Sequence, residues 1–300
     1  MDARISRPVE HRFQRLHGGG LRVYAPAKIN LNLLVGPLRP DRYHPVDSFV
    51  CHVSLYDRFE IRPSSNPKLQ ISCTGWDCGE ERSNLALRAA YAMRNAFARS
   101  KSVIISLHKE IPAGRGLGGG SSDAAAMVSA LARLWRLDVP FEQLMKIGER
   151  LGSDVPLFLG PPCARMTGRG EVLEPATVHD FHAVVVLCKA LCRTPDVYRA
   201  FDQHPQEMGP QLDAAVLKDP PSTWRDKLVN QLSQAARTVS PALADVWDTL
   251  SKALDEPVCL TGSGSALFVL ADDQQQAIDI FGRMPPALQE LAVIVSANPW

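Results

Sequence analysis

Apolar positions along this 300-residue chain change their period several times, and each change marks an element. Over residues 21–35 Val, Ile and Leu alternate with other residue types, the twofold period of strands. Residues 49–54, 57–62 and 69–73 read as three further strands separated by turn residues. Ser83-Asn84-Leu85 opens a helix running to about residue 99, with Ser83 as its cap. Residues 103–109 are again a strand. Residues 124–135, alanine-rich with apolar Met127, Leu131, Leu134 and Trp135, predict a helix. Phe141, Leu144, Ile147 and Leu151 recur at helical spacing, and Gly152 ends that helix. Asp154 then falls in a tight turn ahead of a short apolar strand at 155–158.

The second half is organised differently. A hairpin over 168–175 leads to a strand at 182–187 and a helix capped by Thr194, with Pro195 at its first position. Residues 204–223 are proline-rich and irregular. Helices are expected over 224–237 and 241–254, and strands at 258–261 and 266–270. A helix at 273–283 and a last strand at 291–296 complete the chain. This β-α-α-β-β-α-β order predicts an α+β unit. The domain reading is therefore 1–20 as a mobile, arginine-bearing tail, 21–175 as a first domain and 176–300 as a second.

Between the strand at 103–109 and the helix at 124–135 lies Pro112-Ala113-Gly114-Arg115-Gly116-Leu117-Gly118-Gly119-Gly120-Ser121-Ser122-Asp123. Five glycines within seven residues let the backbone reach positive φ and close on a ligand without a Cβ in the way. A helix start offers unpaired N–H groups and the positive end of a dipole, so the layout suits a phosphate. Ser121, Ser122 and Asp123 supply cap chemistry, and hydroxyls that reach a phosphate-bound Mg²⁺. A P-loop would need Gly-Lys-Ser/Thr here, and a dinucleotide fingerprint an acidic residue at the end of the next strand; neither is present. Two more groups draw notice. Lys28 and Asn30, two apart in a strand, share a face among apolar neighbours, and Tyr43-His44 lie in a turn-forming segment.

Composition narrows the partners. A net charge of +1 gives no reason to expect nucleic acid or an anionic membrane. Apolar runs such as 183–188 have a strand's length, well short of a membrane span. Seven scattered cysteines point to a reducing cytoplasm, and neither Cys73–Cys78 nor Cys188–Cys192 has the second pair a zinc site needs, so no protein metal site is expected.

Three blocks, Ala27-Lys28-Ile29-Asn30-Leu31, the glycine loop and Leu260-Thr261-Gly262-Ser263-Gly264-Ser265-Ala266, resemble the GHMP kinases in content and order. Pro26 to Leu31, Asp41-x-Tyr43-His44, Gly116 to Ala125 and Leu151-Gly-Ser-Asp154-Val-Pro resemble more narrowly the 4-diphosphocytidyl-2-C-methyl-D-erythritol kinases of that superfamily. The resemblance implies a two-domain GHMP kinase fold of the α+β class, with an N-terminal split βαβ-type domain and a C-terminal ferredoxin-like domain. It implies transfer of the γ-phosphoryl group of ATP to a hydroxyl of a cytidyl diphosphate sugar alcohol, in the cytoplasm, for isoprenoid precursor synthesis. Another GHMP small-molecule kinase, of homoserine or mevalonate type, is the alternative. An idle nucleotide-binding protein and a nicotinamide dehydrogenase are the rivals of other classes.

Carried over by position, Asp154 accepts the hydroxyl proton while Lys28 holds it ionised and stabilises moving charge. Residues 112–122, with Lys109 beside them, bind ATP, whose Mg²⁺ travels on the nucleotide. Tyr43 and Tyr198 stack on the two faces of the cytosine, His44 bonds its edge and Asn30 the substrate's polar groups. Gly262, Ser263, Gly264 and Ser265 close on the substrate's phosphates. The chain departs from the family at Arg42, where a glycine is usual, at Gln231, where an aspartate is usual, and at Arg115, where small residues are common.

Overall fold

The computed structural model describes residues 3–98, 100–204, 206–297, 299 and 300. Its first sheet takes strands β1 (Phe13–Arg15), β2 (Leu21–Asn30), β3 (Leu34–Val35), β4 (Val46–Ser64), β5 (Gln70–Gly75), β6 (Ser102–Lys109), β7 (Cys163–Gly168) and β8 (Val172–Pro175). The order is β1-β2-β4-β6-β5, with β3 and β7 also on β4 and β8 beside β7. Only β5 and β6 run parallel. The helices tied to this sheet are α1 (Leu85–Phe97), α2 (Gly119–Leu134), α3 (Phe141–Leu151) and α4 (Val155–Leu159).

The remaining elements are β9 (His182–Val186), α5 (Thr194–Asp202), α6 (Ser233–Val239), α7 (Pro241–Ala253), β10 (Cys259–Leu260), β11 (Leu267–Ala271), α8 (Gln274–Arg283), α9 (Pro286–Gln289) and β12 (Ala292–Ser296). Their sheet is antiparallel throughout, in the order β10-β11-β9-β12. The α+β class read from the sequence is what the molecule shows.

Two cores follow from the alternation. Ala27 and Ile29 of β2, Leu31 just after it, and Phe49, Cys51 and Val53 of β4 share a core with Phe181, just before β9, and with Ala183, Val185, Phe268 and Val293 of the second sheet. Val23, Ala25, Phe59 and Ile61 belong instead to the core under the helices. The run 46–57 is buried throughout, and the polar residues within it, Asp47, Ser48, His52, Ser54 and Asp57, are buried with the rest. The alanines of α2 are the other device: Ala124, Ala125 and Ala126 are fully buried, and their small side chains let α2 lie close on β2.

Several expectations give way. The strands expected at 49–54 and 57–62 are one strand, β4, bent at a register shift opposite Pro26 and Ala27. The apolar stretch after Asp154 is the short helix α4, not a strand; four apolar residues carry no period that separates the two. Asn84 caps α1, accepting from the amides of Ala86 and Leu87 at 3.0 and 3.2 Å, and Ser83 lies in the preceding turn. The helix expected over 224–237 begins only at Ser233, because Asn230 is pulled into a bridge with Leu33. Finally, the segment expected to be a mobile tail is packed. β1 pairs with β2, Ile5 bridges Ile294, and the Arg12 guanidinium lies 5.0 Å from the Trp300 ring and donates to the Phe158 carbonyl at 3.3 Å. Aromatic faces and the free carbonyls at the end of α4 recruit a side chain that the sequence shows only as one arginine of several.

Candidate active site

The glycine loop leaves β6, turns through three left-handed glycines (Gly114 at φ 68°, Gly116 at 77°, Gly118 at 72°) and enters α2. The helix starts earlier than its alanines suggest, at Gly119, with Gly118 in the cap position and no side chain closing the end. Ser121 and Ser122 are thus in the first turn and do not cap. Ser122 Oγ is buried without a partner, and nothing lies within 4 Å of where a Cβ on Gly114 would stand. An uncapped helix start below an open glycine turn suits a polyanion. Pro112 and Leu117 are buried supports, and Ala113 and Gly114 are exposed at the rim.

Lys28 sits beneath this loop. Its amide donates to the Leu117 carbonyl at 3.0 Å, and its Cγ is 3.1 Å from a Cβ built on Gly118. A Cβ on Gly262 would stand 3.2 Å from its Nζ, so the ammonium lies between the two glycine turns. Only glycine fits at either place. Lys28 is 6 % exposed and has no carboxylate within ion-pair distance among the described residues. Burial pushes its ammonium down to about 8, against the pull of the Asp154 charge. Asp154 is the residue before α4, half-buried, and its carboxylate caps nothing. Burial, and after it the same charge, push the Tyr198 phenol up to about 12.

Asn30 has a different task from the one expected. Its Oδ1 accepts from Lys28 Nζ, its Nδ2 donates to Ser48 Oγ at 2.8 Å, and its amide donates to Thr261 Oγ1 at 3.0 Å. Its oxygen and one of its two amide hydrogens are engaged inside the protein, so Asn30 positions the lysine. Thr261, which motif reading passed over, also donates to the Gly116 carbonyl at 3.2 Å and so joins the two turns. Asn230 anchors the second turn by donating to the carbonyls of Leu260 and Gly262 at 2.9 and 2.8 Å. The only signal for it was an asparagine beside the Gln231 departure.

Within 262–265 the roles divide. Gly262 faces Lys28, and Ser263 Oγ is 2.8 Å from Thr194 Oγ1 at the start of α5, so Thr194 is no cap. A Cβ on Gly264 would meet Leu260 and Cys192 instead, and the fully buried Ser265 hydroxyl bonds the Ala190 carbonyl. These two, expected at the substrate's phosphates, serve the interior. Arg115 reaches across to the Ala190 carbonyl and to Ser265 Oγ, the latter at 3.3 Å, and so spans from one turn to the other.

Lys109 is not a surface lysine. It is 5 % exposed and held by Asp57 and Asp123, the second at 2.7 Å. Gln231 makes good the lost aspartate. Its Oε1 accepts from the amides of Val35 at 2.8 Å and Gly209 at 3.2 Å, and its Nε2 donates to the Glu207 carbonyl at 2.8 Å.

At the far rim, Tyr43 is 54 % exposed with the Arg169 guanidinium 4.8 Å from its ring. His44 is buried. Its Nδ1 donates to the Gly36 carbonyl at 2.9 Å and its Nε2 is 3.2 Å from Asp202 Oδ1, so it has no free edge for a base. It instead backs the Tyr198 ring, centroid to centroid 5.2 Å. Arg42 adopts the left-handed φ of 64° that a glycine would take without cost. Arg42→Gly is therefore expected to raise the unfolding free energy by about 0.5–1 kcal/mol, the relief of left-handed strain less the added freedom of the unfolded chain. Urea denaturation of both proteins checks this; a lower midpoint for the glycine variant would refute it.

Residues 84–160 match the family described as GHMP kinases N terminal domain, and residues 221–288 match GHMP kinases C terminal. The 4-diphosphocytidyl-2-C-methyl-D-erythritol kinase of Streptomyces coelicolor is 36% identical over 271 residues, covering 87% of this chain and 90% of its own. This chain belongs to that kinase family. The namesake enzyme of Chlorobaculum parvum is also 36% identical, over 260 residues that cover 85% of this chain and 90% of its own. A crystal structure of 4-(cytidine 5'-diphospho)-2C-methyl-D-erythritol kinase superposes on this kinase with a TM-score of 0.76 at 34% identity, covering 92% of this chain and 98% of that one. The kinase's buried lysine and its paired glycine turns thus stand in a GHMP framework.

Proposed function

We propose that this kinase transfers the γ-phosphoryl group of ATP to a hydroxyl of 4-diphosphocytidyl-2-C-methyl-D-erythritol, in the non-mevalonate route to isoprenoid precursors. The observation that carries the reading is Lys28: a buried ammonium between two glycine turns, coupled to the charge of Asp154. Binding a nucleotide alone calls for no such pair. The glycine loop and the open start of α2 hold the triphosphate, and Asp154 accepts the proton of the attacking hydroxyl. Lys28 lies where negative charge builds as the phosphoryl group moves, in a dry setting where its field is strong. Positioning and electrostatics account for the rate, as they do for phosphoryl transfer in general.

Mg²⁺ enters on the nucleotide in this reading. Among the described residues no cluster of three His, Cys, Asp or Glu side chains forms a cage for it, while the partnerless Ser122 hydroxyl in the first turn of α2 offers an oxygen. The ion would screen the phosphate charge. Tyr43 and Tyr198 take the cytosine between them, with His44 as the backing of Tyr198. A division near residue 175 is supported by strand membership, since the described strands to Pro175, β1 included, join one sheet and those from His182 the other. All seven cysteines are free, which suits a cytoplasmic enzyme, and no described helix is long and apolar enough to cross a membrane.

ATP consumption measured over a panel of alcohols tests the reading. Turnover is expected with the cytidyl diphosphate acceptor and not with methylerythritol phosphate lacking the cytidyl group. Equal rates with both would remove the cytosine from recognition.

A further inference from the structure

The ion-pair network under the glycine loop has a use that the proposed chemistry does not cover. Asp57 lies on β4, fully buried, just past the bend opposite Pro26. Its Oδ1 accepts from the amides of Glu110 and Ile111 at 2.7 and 2.9 Å, the first two residues of the loop. Its Oδ2 accepts from Lys109 Nζ, and Lys109 Nζ also reaches Asp123 Oδ2 at 2.7 Å at the start of the second turn of α2. The ammonium is 3.4 Å from a Cβ built on Gly119, directly under the helix start. One strand thus grips both ends of the loop through a single lysine. Loop residues from Pro112 to Gly118 have no comparable side-chain anchor on this side.

Two carboxylates and one ammonium leave a formal charge of −1 in a dry place, a few ångströms from where a triphosphate would lie. The Asp57 and Asp123 carboxyls share the Lys109 ammonium, and Asp123 Oδ1 is buried without a fixed partner. A shared proton removes both difficulties: it neutralises the set and lets one acid donate to the other. We propose that Asp57, Lys109 and Asp123 form a three-residue staple that carries one proton, held on Asp123, and fixes the glycine loop in its phosphate-binding shape.

The electrostatics agree. Burial and the neighbouring Asp57 charge push the Asp123 carboxyl well above its ordinary range. Burial opposes the Lys109 charge, but the two carboxylates outweigh it and hold the ammonium above the usual lysine value. The titratable groups facing Asp123 are Asp57 from β4, Lys109 from β6 and the Cys78 thiol from the segment after β5. All three residues are positioning groups in this scheme, and none touches the reacting atoms.

The inference rests on the glycine loop being the nucleotide site. Turnover of the wild-type enzyme tests that function; the variants, read against wild type, test the staple. Lys109→Met is expected to raise KM for ATP by about tenfold to a hundredfold, as a displacement of about an ångström does, with KM for the acceptor little changed. Asp123→Asn keeps a donor toward Asp57 and removes the titration. In wild type, KM for ATP should rise toward alkaline pH as the staple loses its proton and turns negative; in Asp123→Asn that part of the rise should vanish. Lys28 titrates alike in both proteins, so the difference between the two profiles is the readout. Unchanged KM for ATP in Lys109→Met, with only a lower melting temperature, would reduce the staple to a structural ion pair. Superimposable profiles for wild type and Asp123→Asn would overturn the proton. If Lys109→Met fails to fold, that comparison of profiles decides alone.

Discussion

Asp154→Asn should lower kcat by about 10²–10⁴, the usual worth of a positioned base, which is about 3–5 kcal/mol of barrier. The change keeps the size and shape of the side chain and removes only its ability to take a proton. Stability should hardly move, because the Asp154 carboxylate caps no amide of α4. ATP affinity should hold as well, since the proposed triphosphate site is built from the glycine loop and the start of α2. Single-turnover kinetics and a nucleotide titration separate these outcomes. A variant that turns over within a factor of a few of wild type would take the proton-accepting role from Asp154. Loss of ATP binding in parallel with turnover would place Asp154 in nucleotide binding instead.

Gly116→Ala should be the most damaging of the loop's single-methyl changes. Gly116 is at φ 77°, and a Cβ there would stand 2.1 Å from the Thr261 carbonyl oxygen. Left-handed strain costs about 1–2 kcal/mol and a methyl forced into a filled space about 1–3, so about 2–5 kcal/mol is at stake. The obstacle is backbone, which no rotamer change relieves. The turns must part, breaking the Thr261 to Gly116 bond and widening the gap in which Lys28 sits. KM for ATP and for the acceptor should therefore rise together. Gly114→Ala is the control: its φ is 68°, but the space around a Cβ is open, so only the strain is expected. Equal unfolding midpoints and equal KM values for the two variants would show that the contact between the turns is unimportant.

How much of this was open to reading from the chain depends on distance along it. The glycine loop, Lys28 and Asp154 announce themselves because each belongs to a local pattern whose chemistry is unusual: positive φ, a cation among apolar residues, an acid at a helix end. Lys109 shows the limit. Its neighbours in sequence suggest a strand end beside the glycine loop, and it is one, but its side chain is held by an aspartate 52 residues earlier and another 14 later. Asn30 and His44 went astray for the same reason. Each was read as having free polar atoms, and partners remote in sequence, Ser48 for one and Asp202 for the other, engage them.

The alternation and loop chemistry alone determined that the second half of this chain makes an α+β unit and that a glycine turn suited to phosphate stands ahead of a helix. Periodicity and backbone preference act over a few residues, so they are written where they act. Only the tertiary structure decided which polar groups are spent and which are free: Asn30 on Lys28, Ser265 on Ala190, Lys109 on its two acids, and Arg12 of a packed N-terminal segment on Phe158. A buried donor or acceptor must find a partner, and in a folded chain that partner is as often remote as near.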